Sequence, residues 1–133
     1  SPHLSHKKWP HYNELIELIK NKYQDQFNIV VAPAPHEINE AKNINAICVL
    51  DDDKALNILQ LSTLIKESSF VIANDTGPAH MAAHLNVKGL TLFGSHTTAK
   101  KVSIERDKFK AIQVSDLNKL SAKNVFERIV NEI

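Results

Sequence analysis

The chain has 133 residues, of which 43% are hydrophobic and 23% are charged, and its formal net charge is +1. This length and composition are those of one globular domain that buries about two thirds of its unfolded surface. The near-neutral charge gives no basis for a nucleic-acid partner, and no apolar run approaches the ~20 residues that a membrane-spanning helix needs.

The first predicted element is a helix that begins near Pro10 and buries one apolar stripe, with Trp9 as a hydrophobic anchor at its entry. Continuous apolar runs at residues 28–32 and 46–50 predict two strands that are buried on both faces, as in parallel sheets. Residues 35–40, which lie between these strands, predict at most a short helix.

The second half of the chain continues the alternation of strands and helices. Asn57 and Gln60 form a capping-box pattern at the start of the next helix. The elements predicted after that helix are strands at 70–73, 89–94 and 110–114 and a final helix capped by Ser121. Together, these elements predict an α/β domain that spans residues 1–133, with a parallel, doubly wound sheet.

The turn that follows the predicted strand at 70–73 is the strongest candidate site. Pro78 suits the first turn of a helix, and Gly77 can adopt backbone angles closed to other residues and lets a ligand approach the main chain. Helix N-termini often hold phosphate groups, and doubly wound sheets bind ligands beyond the carboxyl ends of their strands. The alternative is a well-capped connection between strand and helix that binds nothing.

Three groups of potential metal ligands are better explained in other ways. The histidines within residues 3–11 and the acidic run at 51–53 suit solvated surface. His80 and His84 have helical spacing, but they lack an intervening glutamate and an obvious third ligand. We therefore expect no metal site.

Residues 68–85 read Ser-Ser-Phe-Val-Ile-Ala-Asn-Asp-Thr-Gly-Pro-Ala-His-Met-Ala-Ala-His-Leu. This stretch closely resembles the signature of the heptosyltransferase family of glycosyltransferases, in which a strand, Asn-Asp-Ser/Thr-Gly-Pro-x-His and an Ala-rich helix follow one another. Residues 7–10, Lys-Lys-Trp-Pro, resemble the family's Lys-x-Trp-Pro element. The resemblance spans roughly residues 7–95, and the combination of the two motifs is specific.

The resemblance implies a fold and separate roles for the two domains of the enzyme. Family members have two Rossmann-like domains that face each other across a cleft, the GT-B arrangement, and this chain looks like the C-terminal, donor-binding domain alone. That domain binds a nucleotide-sugar, typically ADP-heptose, which is a substrate and not a cofactor. The N-terminal domain holds the lipid-linked acceptor and a catalytic aspartate. We therefore expect no catalytic residue and little transfer activity in this chain, and a cytoplasmic location at the inner-membrane surface, where the lipopolysaccharide core is built.

The resemblance also implies which residues bind the donor. They are Lys7, Glu37, Asp75, Thr76, Gly77, Pro78 and His80. Lys7 and the helix N-terminus would stabilise the negative charge that grows on the departing diphosphate, without a divalent metal. Glu37 would contact the ribose, His80 would donate to a phosphate, and Asp75 would cap the helix or hold sugar hydroxyls.

Two features depart from the family pattern. The strand that should precede Lys-x-Trp-Pro, which is central in the 3-2-1-4-5-6 order, is missing from residues 1–8. The strands at 28–32 and 70–73 would then face a gap. We expect the chain either to close this gap or to pair its exposed edges with another chain, as in a homo-oligomer. In addition, residues 95–107 lack the prolines and glycines of the family's loop near the donor, which leaves the sugar and the nucleotide open.

Two other functions fit the same residues. One is half of a sugar-nucleotide epimerase of similar two-domain build, which would favour a UDP-sugar. The other is a non-catalytic interaction module, which would have no nucleotide affinity and an apolar patch in the cleft.

Overall fold

The computed structural model describes residues 8–74, 76–94 and 105–133. Its helices are α1 (Tyr12–Tyr23), α2 (Ile38–Ala41), α3 (Ile58–Glu67), α4 (Gly77–His84) and α5 (Ala122–Ile129). Its strands are β1 (Val30–Val31), β2 (Ile47–Cys48), β3 (Val71–Asn74), β4 (Gly89–Phe93) and β5 (Phe109–Gln113). Short 3₁₀ turns occupy Pro35–Glu37, after β1, and Leu117–Lys119, after β5. Among these helices, none has the length and apolar character needed to cross a bilayer.

All strand pairs in the described part of the chain are parallel, which confirms the predicted α/β class. β1 pairs with β2, and β4 lies between β3 and β5 in a second sheet. Within the described residues, β1 and β3 each pair on one side only, so no backbone hydrogen bonds join the two sheets there. Residues 1–7, from which the family's central strand is predicted to be missing, fall outside the described ranges, so that call and the way the gap is filled stay predictions.

The core of the domain lies on both faces of the β3–β4–β5 sheet. On one face, Leu90 and Leu92 of β4 pack with α1, α5 and Trp9. On the other face, Phe93 packs with α3 and α4, where Ala79 and Ala82 have no exposed surface. The alternation of side chains along β4 follows from the two-residue period of a strand. β4 is therefore buried on both faces, as its apolar run predicts.

Gly89, the first residue of β4, is required by close packing. A Cβ atom at this position would lie 2.4 Å from the carbonyl oxygen of Val71 and 2.6 Å from the ring of Phe109. The ring of Phe109 is fully buried and the Val71 carbonyl belongs to the neighbouring strand, so neither can move away freely. The tight spacing of β3 and β5 around β4 therefore depends on this glycine.

The β1–β2 sheet differs from the prediction in length and in burial. Each strand has two residues, and the paired side chains of Val30 and Ile47 are 37% and 61% exposed. Among the described residues, one face of this sheet is covered, where Ile29 packs against the core cluster that contains α1, and the other face carries the exposed Val30 and Ile47. The prediction of burial on both faces is therefore wrong for these strands, because an apolar run does not reveal how many faces are covered.

The predicted helix starts are largely confirmed. Asn57 and Gln60 form the reciprocal capping box of α3, at 2.8 and 2.9 Å, and Ser121 accepts a hydrogen bond at the start of α5. The first helix begins at Tyr12, with His11 as its N-cap residue, two residues after Pro10. Trp9 is buried as predicted, and its indole N–H donates to the carbonyl of Leu120 at 2.7 Å.

Candidate functional site

The turn between β3 and α4 is held in place by hydrogen bonds to Asn74. The carbonyl of Asn74 accepts from the hydroxyls of Thr76, at 3.2 Å, and Thr91, at 3.3 Å. Thr91 is fully buried in β4, so this second donor is part of the core. The turn therefore begins from a fixed point at the carboxyl end of β3, where parallel sheets bind ligands.

The first turn of α4 presents an exposed backbone at Gly77. Thr76 is the N-cap residue, and its carbonyl accepts from the N–H groups of Ala79 and His80. Pro78 has no N–H, as predicted for the first turn. The N–H of Gly77 has no residue four positions earlier in the helix to accept it, so it is available to a ligand. An anion at this position would also meet the positive end of the helix dipole.

Gly77 leaves open space above the turn, but it needs no unusual backbone angle. A Cβ atom here would meet nothing within 4 Å, and the φ angle of Gly77 is not positive. Gly77 can adopt angles closed to other residues, but the turn does not use that freedom. The close approach of a ligand to the main chain stays a prediction, and the open space is compatible with it.

Tyr12 connects the start of α1 to this turn. Its hydroxyl donates to Oδ1 of Asn74 at 2.6 Å. The ring packs edge-on against Trp9, with centroids 5.0 Å apart. Burial of the phenol raises the pKa of Tyr12, and the negative charge of Glu37 raises it further. The hydroxyl therefore remains a proton donor at neutral pH.

The β3–α4 turn forms one flank of the site. The second flank follows β1 and consists of the 3₁₀ turn that carries Glu37 and of α2. Lys8 holds this flank, because its Nζ lies 2.8 Å from Oε2 of Glu40 and 3.7 Å from Oε2 of Glu37. The hydrogen bond to Glu40 is the main cause that raises the pKa of Lys8, and the same bond lowers the pKa of Glu40. Lys8 and Tyr12 are four residues apart in the chain, so one short segment contacts both flanks.

The Lys8–Glu40 pair predicts a specific pH dependence of stability. The lowered pKa of Glu40 means that the pair stabilises the fold above the ordinary carboxyl value of 4.5 and stops doing so as the pH falls through the lowered value. The raised pKa of Lys8 means that the stabilisation is complete below 10.5 and is lost only above that value.

We therefore expect Lys8→Met to lower the melting temperature at pH 7 by no more than a few degrees, since the pair is partly exposed, and to have a smaller effect in 1 M salt and as the pH falls below 4.5. The measurement is thermal unfolding followed by circular dichroism. Lys42→Met, at an exposed position next to α2, controls for the loss of one positive charge. A difference between wild type and Lys8→Met that stays the same size as the pH is lowered from 7 through the acid range would contradict the assignment.

The structure brings some of the predicted site residues together and leaves others undetermined. Thr76 and Gly77 are exposed on one turn, Pro78 is partly buried beside them, and His80 is half-buried at the end of the first turn of α4. Glu37 lies on the flank that Lys8 holds. Lys7 and Asp75 fall outside the described residues, so the phosphate-binding and capping roles expected of them stay predictions.

Sequence reasoning missed Lys8, Tyr12 and Asn74. Lys8 adjoins the lysine of the motif, and nothing in the pattern distinguishes the two. Tyr12 fits the apolar stripe of α1, and this pattern does not indicate a polar role for its hydroxyl. Within the described ranges there is also no group of three or more His, Cys, Asp or Glu side chains that could hold a metal ion.

The chain is similar to known glycosyltransferases in both sequence and structure. The family model described as glycosyltransferase family 9 (heptosyltransferase) matches residues 2–128. No curated protein matches the chain. Among solved structures, the chain is similar to the Escherichia coli heptosyltransferase WaaC with ADP-2-deoxy-2-fluoro heptose, with a TM-score of 0.78 and 23% identity over 96% of this chain and 40% of that one.

Two further solved structures give the same picture. WaaC with ADP has a TM-score of 0.73 and 20% identity over 95% of this chain and 40% of that one. The Escherichia coli ADP-heptose lipopolysaccharide heptosyltransferase II has a TM-score of 0.70 and 22% identity over 95% of this chain and 42% of that one. These matches confirm the predicted fold, and the chain spans about 40% of the length of each protein that it matches.

Proposed function

The chain belongs to glycosyltransferase family 9, the heptosyltransferases, and we propose that it is the part of such an enzyme that binds the nucleotide-sugar donor. The observation that carries this proposal is the fixed turn between β3 and α4, with the exposed Gly77 at the start of the helix. Two of the solved structures that resemble this chain contain ADP or an ADP-heptose analogue, which supports ADP-heptose as the donor.

The chemistry of glycosyl transfer suits this turn. When an acceptor hydroxyl attacks the anomeric carbon, the bond between sugar and phosphate breaks and its electron pair leaves with the diphosphate. The N–H of Gly77 and the dipole of α4 would stabilise this charge, with Lys7 adding a positive charge and His80 a further hydrogen bond. Glu37 would accept hydrogen bonds from the ribose hydroxyls, as carboxylates commonly do.

We propose that the base that activates the acceptor belongs to a second domain, so that this chain alone transfers little or no sugar. The acceptor would be the lipid-linked core of lipopolysaccharide at the cytoplasmic surface of the inner membrane. The diphosphate charge would be met by protein groups, so we propose that the donor site works without a metal or other cofactor.

The test is a titration of the isotopically labelled chain with ADP and, in parallel, with UDP, followed by ¹H–¹⁵N NMR. We expect ADP to shift the amide signals of Thr76, Gly77, Ala79 and His80, and UDP to shift them less at equal concentration. The amide of Asn124, at the start of α5 and on the opposite face of the sheet, is the internal control. Addition of EDTA should leave the ADP affinity unchanged.

Each alternative function predicts a different outcome of this titration. A preference for UDP would favour the epimerase-like function over the heptosyltransferase donor. The same spectra show whether the chain is folded. If a folded chain shows no shift with either nucleotide, the result would favour a non-catalytic module and would overturn the donor-binding proposal.

A further inference from the structure

Tyr12 is placed where it can control the geometry of the β3–α4 turn through Asn74. Its hydroxyl donates to the side chain of Asn74, the last residue of β3. The carbonyl of the same Asn74 accepts from Thr76 and Thr91. These hydrogen bonds fix the orientation of Asn74 at the end of β3.

The ring of Tyr12 is itself held firmly. Trp9 packs edge-on against it at an angle of 80°, and Trp9 is anchored by its hydrogen bond to Leu120, which follows β5. Trp9 is only 2% exposed and belongs to the main core cluster. Because the ring rests on this core, the position of the hydroxyl is set by the body of the domain and not by the turn that it contacts.

The same segment of chain also reaches the flank that carries Glu37. Lys8 pairs with Glu37 and Glu40, and the charge of Glu37 lies close enough to Tyr12 to perturb its phenol. In the described residues no backbone hydrogen bonds connect β1 to β3, so side chains of this segment provide the polar connection between the two flanks.

We propose that Tyr12 is a positioning residue. Its hydrogen bond to Asn74 fixes the position of the β3–α4 turn relative to the flank that carries Glu37, which Lys8 contacts. This inference rests on the proposed function, because the ligand that spans the two flanks is the nucleotide-sugar. Loss of the hydroxyl would leave the fold intact and let Asn74 and the turn move relative to Glu37.

The test compares Tyr12→Phe with Tyr23→Phe. Tyr23 is the matched control, because its hydroxyl also makes one hydrogen bond from α1, to the carbonyl of Val130 at 2.8 Å, at the far end of the helix. Both variants lose one phenolic hydrogen bond, so we expect similar small losses of thermal stability. We expect Tyr12→Phe to weaken ADP binding about 5- to 10-fold and Tyr23→Phe to change it by less than about 2-fold.

A double-mutant cycle shows whether Tyr12 acts through Asn74. If it does, the variant that combines Tyr12→Phe with Asn74→Ala should bind ADP no more weakly than Asn74→Ala alone. Additive losses would overturn the proposal, and so would equal ADP affinities of Tyr12→Phe and wild type.

Amide hydrogen exchange of the ligand-free chain separates this inference from the proposed function. We expect the amides of Gly77, Ala79 and His80 to exchange at least several-fold faster in Tyr12→Phe than in Tyr23→Phe. If wild type does not bind ADP, the donor-binding proposal fails, yet the exchange rates still decide whether Tyr12 holds the turn. Equal exchange rates in the two variants would overturn the role of Tyr12.

Discussion

Gly89→Ala is expected to lower the free energy of unfolding by about 3 kcal/mol, at the upper end of the usual cost of overpacking a core. The added methyl group would lie 2.4 Å from the carbonyl oxygen of Val71 and 2.6 Å from the buried ring of Phe109. Relief requires β3 to move away from β4, which would disturb the parallel pairing across the sheet. For a domain of this size the loss corresponds to a fall in melting temperature of about 10 °C.

The measurement is urea unfolding, and Gly77→Ala is the matched control. The same methyl group at Gly77 meets no atom within 4 Å, and the backbone there is compatible with alanine. We therefore expect the stability of Gly77→Ala to be unchanged or slightly higher, as alanine favours helices. Equal stabilities of the two alanine variants would show that the spacing of β3 and β4 is more adaptable than the contacts imply.

Gly77→Asp is expected to weaken ADP binding by about 100-fold while the chain stays fully folded. A carboxylate at the first position of α4 interacts favourably with the helix dipole and should raise stability by about 0.5 kcal/mol. The same charge would repel a diphosphate at this turn, and two unit charges about 4 Å apart near a protein surface repel by up to about 4 kcal/mol. Stability and affinity should therefore change in opposite directions.

Gly77→Asn separates charge from size in this experiment. Asparagine has nearly the shape of aspartate and no charge, so we expect it to weaken ADP binding by about 10-fold or less. Isothermal titration calorimetry of both variants gives the comparison, and added salt should narrow the difference between them. If Gly77→Asp bound ADP as tightly as Gly77→Asn, the phosphates would not lie at this turn, and the proposed site would have to be abandoned.

The fold could be predicted from the sequence to the extent that local patterns determine it. The capping box at Asn57 and the cap at Ser121 depend on side chains within one helical turn, and both were placed correctly. The apolar run of β4 predicted a buried strand. This prediction is correct because helices cover both faces of β4. The similar runs that contain Val30 and Ile47 predicted burial on both faces, and this prediction is wrong. Whether a face is covered depends on distant parts of the chain.

The candidate site could be predicted only where a motif marks it. The turn at Thr76 and Gly77 was found from the strand, the glycine and the proline that follow one another there. Tyr12 could not be found in this way, since it lies 62 residues from Asn74 and looks like an ordinary member of an apolar stripe. Contacts of this kind depend on how α1 docks against the ends of the sheets, which no local pattern of residues describes.

The segment from Lys8 to Tyr12 is constrained in its length as well as in its composition. Lys8 contacts the residues that follow β1, Trp9 contacts Leu120, and Tyr12 contacts the end of β3. One extra residue before Tyr12 would advance α1 by one position, which rotates a side chain by about 100° and shifts it by about 1.5 Å along the helix axis. Lys8 and Tyr12 could not then both keep their partners. Substitutions at the exposed Pro10 are compatible with this arrangement, but an insertion or a deletion beside it is not.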